Sequence, residues 1–214
     1  MKSIDWLLLE LQVYFENEST GHDYWHAERV WKSAIQLGAQ ESVNLKIVEA
    51  AALLHDVADW KMAEENRVEG LEKMEFWLNA LGYSSSEKKE VLDIVDNMSF
   101  KGGTNNHKIL SKEGQVVQDA DRLDALGAIG IARAFAYGGS KGRPLHNPTQ
   151  IPAEFEDFEA YKNHKGATVN HFYEKLFKLK ELMNTKAGKA AAEDRHKFME
   201  LFLDQFYSEW EGKS

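Results

Sequence analysis

Four side chains of this sequence carry donor atoms of the kind that hold a divalent metal ion. His26 lies in GHDYWHAERV, the adjacent pair His55-Asp56 in AALLHDVADWK, and Asp121 in VVQDADRLDALGAIG. Imidazole nitrogen combined with carboxylate oxygen suits Mn²⁺, Fe²⁺, Ni²⁺, Co²⁺ or Zn²⁺, with Mg²⁺ also open. The chain has no cysteine, so a closed structural zinc site built on thiolates is not expected. A metal held by nitrogen and oxygen points instead to Lewis-acid and hydrolytic chemistry.

A His-Asp dipeptide is a weak signal alone, and the chain contains a second one, His22-Asp23. Asp23 suits the N-cap of a following helix. We therefore take His26 as the ligand and His22 as a wall of the pocket, although their i, i+4 spacing lets both face one ion. Asp56 follows Ala51-Ala52-Leu53-Leu54, an apolar run. A carboxylate there is expected to be buried, and buried charges are paired or bind metal. Asp59 lies three residues past Asp56 and four past His55, on the same helical face. It is open as a further ligand and better placed as a base that orients or deprotonates the attacking water.

Basic residues near these donors suit phosphate, because guanidinium forks pair well with it. Arg29 is three residues past His26 and shares its face; Lys61, Arg122 and Arg133 are further candidates. For Arg122 and Arg133 the plain alternative is an ion pair at the edge of the core. Asp124, three past Asp121, either binds substrate or closes a polar network. His171 and Lys175 share a helix face and either border the pocket or serve packing and surface roles. His107, in the polar stretch SFKGGTNNHK, is expected to face solvent.

Lys and Arg number 26 against 35 Asp and Glu, a formal net charge of −9. Such a surface repels a nucleic-acid backbone, whose binding depends on cations neutralising phosphates. A small anion needs only a few cations, so a small-molecule partner is expected and a polymer is not. No uncharged apolar stretch approaches the ~18 residues of a membrane span. The N-terminal MKSIDWLLLELQVYF is broken by Asp5 and Glu10 and reads as an amphipathic helix, not a signal peptide. A cysteine-free chain fits a reducing compartment, so a cytoplasmic location is expected.

Apolar residues recur at helical spacing almost throughout, and strand-like alternation is nearly absent. The fold class is all-α, with about eight helices. The expected spans are 4–17, a helix from Asp23 to Gly38, 44–57, 66–81, 86–98, 113–137, 165–183 and 185–210. Ser84 and Glu87 have capping-box spacing before the fifth. Gly127 and Gly130 fall inside the sixth, where each costs ~1 kcal/mol against alanine, so close helix packing is expected there. All three prolines (Pro144, Pro148, Pro152) fall in GGSKGRPLHNPTQIP, which is either a lid or a connection.

The order His26, His55-Asp56, Asp121 resembles the HD-domain metal-dependent phosphohydrolases. GHDYWHAERVWKSA, ALLHDVADWK, VVQDADRLDALGAIGIARAF and NHFYEKLFKLKELMNT resemble the YpgQ/YedJ-like branch of that family, over nearly the whole chain. The resemblance implies one all-helical domain over 1–214, with a core at 20–140 and C-terminal helices at 160–210 packed on it. It implies a metal ion, Mn²⁺ before the others, on His26, His55, Asp56 and Asp121, and an acidic catalytic residue after the pair. Relatives often carry Glu there, whereas this chain has Asp59, one methylene shorter. Family members with two metals add further histidines between the HD pair and the last Asp; only His107 occurs in that interval here, so one ion is expected. The implied reaction is nucleotide hydrolysis, first of all of nucleoside or deoxynucleoside triphosphates to monophosphate and pyrophosphate. A 5′-nucleotidase, a cyclic-nucleotide phosphodiesterase and a non-catalytic nucleotide-binding regulatory module stay open beside it, as do a monomer and a homodimer.

Overall fold

The computed structural model describes residues 1–16, 23–58, 64–98, 111–153, 164 and 166–213. Among these residues every regular element is helical, as the 3.6-residue periodicity predicts. The chain forms two compact units, Met1–Asp121 and Arg122–Ser214.

In the first unit, α1 (Ile4–Tyr14) starts at Ser3, whose hydroxyl accepts from the Trp6 N–H. It is shorter than the 4–17 expected: Phe15 is the C-cap, and the Glu16 N–H bonds back only three residues, to Val13 O. α2 (Tyr24–Gly38) is capped by Asp23, which accepts from the His26 N–H at 2.9 Å. Its buried stripe of Ala27, Val30, Ala34 and Leu37 has helical spacing. α3 (Leu45–Leu54) is capped by Asn44; its first turn exposes Leu45 and Lys46, and beyond it Ile47, Val48 and Ala50 through Leu54 are all inaccessible. A helical stretch apolar all round, as over Ala50–Leu54, belongs in the core, and α3 packs against α2 and α5.

α4 (Glu64–Ala80) stops before Gly82, which takes φ +76°. α5 (Ser85–Met98) opens on the expected capping box: Glu87 accepts from the Ser84 N–H at 2.7 Å, and Ser84 accepts from the Glu87 N–H at 3.3 Å. α3 ends three residues earlier than the expected 44–57, so His55 and Asp56 stand in a turn and not on the helix itself.

The division between units falls inside α6 (Lys112–Asp124). The expected long helix over 113–137 is two helices, α6 and α7 (Gly127–Ser140). Gly127 takes φ +70°, and a Cβ on Gly130 would stand 2.2 Å from the Ala125 carbonyl oxygen. These glycines serve a break in the chain, and apolar periodicity running on through 123–131 hides it.

In the second unit, the expected helix over 165–183 is a short α8 (Asn170–Glu174) and a 3₁₀ helix (Leu176–Leu182), separated at Lys175 with φ −138°. The three-residue repeat of the 3₁₀ segment buries Leu176 and Leu179 together. α9 (Lys186–Trp210) starts at Thr185, which accepts from the Gly188 N–H. Phe172 stacks on Phe202 of α9 at 6.2 Å, and Phe135 of α7 joins them. The proline segment is tied down: Thr168 N–H donates to Pro144 O, Val169 N–H to Leu145 O, and Ala153 N–H to the buried Glu174 carboxylate.

Candidate metal centre

His26 occupies the first turn of α2, where the Asp23 cap fixes its backbone. His55 follows the last residue of α3, and Asp56 is next in the turn. The two Nε2 atoms face each other at 3.2 Å. Asp56 Oδ2 lies 3.2 Å from His55 Nε2 and 3.4 Å from His26 Nε2. Asp121, on α6, brings Oδ1 to 3.4 Å from His26 Nε2 and 3.9 Å from His55 Nε2. His26, His55 and Asp56 are 1%, 3% and 8% exposed, whereas the Asp121 side chain is 39% exposed. Three donors are therefore buried, and the fourth is reached by solvent.

Ligand atoms about 2.1 Å from one ion stand about 3.0 Å apart at octahedral angles and about 3.4 Å apart at tetrahedral ones. The spacings among His26, His55 and Asp56 fall in that range, and this group can hold a metal ion. The tautomer fits as well. His55 Nδ1 lies 2.8 Å from the Ala52 carbonyl oxygen. A carbonyl only accepts, so Nδ1 donates, and in the neutral ring the lone pair is on Nε2, facing the cluster.

The electrostatics show what the cluster demands. Burial disfavours a charged His55, yet the Asp56 carboxylate beside it, with Asp121 behind, outweighs that and raises its pKa. Burial pushes Asp121 up, but the hydrogen bond from His26 and the charges of both imidazoles win and hold it below the usual carboxylate range. Two carboxylates here require positive charge. A protonated imidazole can supply it, and a divalent ion would supply it in its place.

The other expected site residues are placed differently. His22, Asp59, Lys61 and His107 lie outside the described residues. Arg29 sits on α2, one turn past His26, and is partly exposed. Arg122 donates to the Leu182 carbonyl, and Arg133 pairs with Asp124, which is 4% exposed. The Arg133–Asp124 contact is an ion pair at the edge of the core, whereas the Arg122 contact is to backbone. His171 is held to a pKa of about 4, first by burial and then by the charges of Lys175 and Arg143.

Two residues that the sequence reading passes over touch the turn carrying His55 and Asp56. The Tyr14 hydroxyl donates to Val57 O at 2.8 Å, and Gly70 of α4 lies against the same carbonyl. Gly70 carried a signal, a glycine inside a helix; Tyr14 carried none.

The HD domain family matches residues 24–126, the span from α2 into the α6–α7 break. The YpgQ protein of Bacillus subtilis is 38% identical over 213 residues, covering 99% of this chain and 96% of its own. The crystal structure of an HD-superfamily hydrolase from Bacillus thuringiensis is 47% identical, with a TM-score of 0.77 over 97% of this chain and 96% of that one. That of Bacillus subtilis YpgQ in complex with ADP is 35% identical, with a TM-score of 0.75 over 96% of this chain and 93% of that one. With its ligand order, its helical fold and relatives matched end to end, the chain belongs to the HD-domain family of metal-dependent phosphohydrolases, in its YpgQ-like branch.

Proposed function

We propose that the protein hydrolyses small nucleotides with one divalent ion, Mn²⁺ first among the candidates, and that it splits nucleoside or deoxynucleoside triphosphates to a monophosphate and pyrophosphate. The observation that carries this reading is the convergence of two buried Nε2 atoms on one Asp56 oxygen, at 3.2 and 3.4 Å. His26, His55, Asp56 and Asp121 would hold the ion. When bound, such an ion lowers the pKa of water towards ~7 and offsets phosphate charge.

The chain's own residues supply the rest. His55 keeps Nε2 unprotonated towards the cluster through its bond to Ala52. Asp59 takes the proton of the attacking water. The water oxygen bonds to the α-phosphorus, the bridging bond to the β-phosphate breaks, and pyrophosphate leaves. Arg29 and Lys61 bind phosphate oxygens and offset the charge spread over them. The ADP bound to the Bacillus subtilis relative supports a nucleotide as the partner. The −9 net charge argues against a polymer.

The test is a product assay on protein stripped of metal and reloaded with Mn²⁺, across mono-, di-, tri- and cyclic nucleotides. Pyrophosphate released from triphosphates is the expected result. Phosphate from monophosphates, or cleavage of cyclic nucleotides alone, replaces the pyrophosphohydrolase with a nucleotidase or phosphodiesterase. Tight nucleotide binding without turnover makes the protein a regulatory module.

A further inference from the structure

The turn that presents His55 and Asp56 lies beyond the last helical residue of α3, Leu54. Inside the turn, the Val57 N–H bonds to Leu54 O at 3.1 Å, an i to i−3 closure tighter than the helix before it. Carbonyls at a helix end have no intrahelical donor, and a buried carbonyl needs a partner. Val57 is fully buried. Its carbonyl oxygen is served from another part of the unit, by the hydroxyl of Tyr14, the last residue of α1, at 2.8 Å.

That hydroxyl is not free to wander. The Tyr14 ring meets Trp77 edge-on at 5.8 Å and Phe15 at 5.1 Å. From the other side, α4 passes so close that a Cβ on Gly70 would stand 2.4 Å from Val57 O and 3.2 Å from Ala58 Cα. Both neighbours are backbone and cannot swing aside. A side-chain donor on α1 and a bare Cα on α4 thus converge on one peptide oxygen, one residue after Asp56.

We propose that Tyr14, backed by Gly70, is a positioning residue of the metal centre: its hydroxyl holds the 55–58 turn so that Asp56 and His55 keep their spacing to His26. The inference rests on the metal-site reading above. Ligand sets tolerate errors of only about 0.5 Å. The peptide fixed by Tyr14 is adjacent to one ligand and two residues from the other. The bond from Ala52 to His55 orients a ring, whereas Tyr14 fixes the backbone from which Asp56 projects.

Tyr14→Phe removes the hydroxyl and keeps the ring and its aromatic contacts. Three measurements on the full chain test it: Mn²⁺ titration of metal-free protein, hydrogen exchange of the peptide spanning 54–58 without metal, and steady-state kinetics with a triphosphate. Outer-shell partners are commonly worth ~10–100-fold in metal affinity or activity. The expected result is Mn²⁺ affinity weakened about tenfold or more, faster exchange confined to the turn, and a lower kcat at unchanged KM. A role in stability alone would lower the melting temperature and leave the affinity of the folded protein as it was. Gly70→Ala should give the same pattern more strongly. If it does not fold, Tyr14→Phe decides alone. Wild-type Mn²⁺ affinity and exchange in Tyr14→Phe overturn the positioning role and leave the metal site standing. Wild-type protein that binds no Mn²⁺ overturns both.

Discussion

His55 donates its Nδ1–H to the carbonyl of Ala52, 2.8 Å away, and that bond decides which ring nitrogen faces the carboxylates. Ala52 is the third residue of the buried run preceding the pair, so the same helix that carries His55 into the core also sets its tautomer.

His55→Ala and Asp56→Asn should each reduce bound Mn²⁺ by at least about tenfold, since a ligand matters no less than the outer-shell partners worth ~10–100-fold. Elemental analysis after loading and desalting reads this directly. Unchanged metal content in both variants would place the ion elsewhere.

Asp59→Asn should keep the metal and lose turnover by ~10²–10⁴-fold, the usual contribution of a general base. Kinetics and metal analysis on one preparation separate the roles. Full activity rejects the base, and loss of Mn²⁺ makes Asp59 a ligand.

The His171 pKa of about 4 in the folded protein lies below its ordinary 6.5, with burial as the main cause. Below pH 6.5 the unfolded chain takes up a proton that the folded one refuses. Stability from this group is therefore complete above pH 6.5, falls as the pH drops towards 4, and changes no further below that. His171→Gln should flatten the dependence of the denaturation midpoint on pH within that window. A variant with the same acid slope as wild type would remove His171 from the account.

Gly127→Ala should destabilise the protein by about 1–2 kcal/mol, the cost of a left-handed residue with a Cβ. The new methyl also meets the Arg195 side chain, with Cγ at 3.1 Å. Gly139→Ala is the control: it lies in α7 with open space around it and should be neutral or slightly stabilising. Urea midpoints that rank the two variants the other way would contradict the break at Gly127.

What the sequence made legible was mostly local. The cap at Asp23, the box of Ser84 and Glu87, and the stop at Gly82 each depend on residues within a few positions of one another, and all three stand in the structure. The convergence of His26, His55 and Asp56 was legible because few arrangements other than a shared ion explain such donors next to apolar runs. The ends of α3 and α6 were not. Periodicity continues through both, while the chain is turned after α3 by long-range contacts, Tyr14 and Gly70 against Val57, and after α6 by the tight local approach of Gly130 to Ala125. For Arg122 and Arg133 the sequence left phosphate binding and a core-edge ion pair side by side, because a guanidinium reads the same in any setting. Only the fold reveals the Leu182 carbonyl and the Asp124 carboxylate that engage them.

The cap on α2 bears on how this chain can drift over generations. Asp23 acts through one oxygen accepting from a backbone N–H, a task that Ser, Thr or Asn performs about as well. Asp56 acts through charge and position among two imidazoles, for which none of those is a substitute. Of the two His-Asp dipeptides, then, the first is free to lose its Asp in descendants that keep full activity, while the second is not. A survey of natural variants should find position 23 wandering among capping residues and position 56 fixed as Asp.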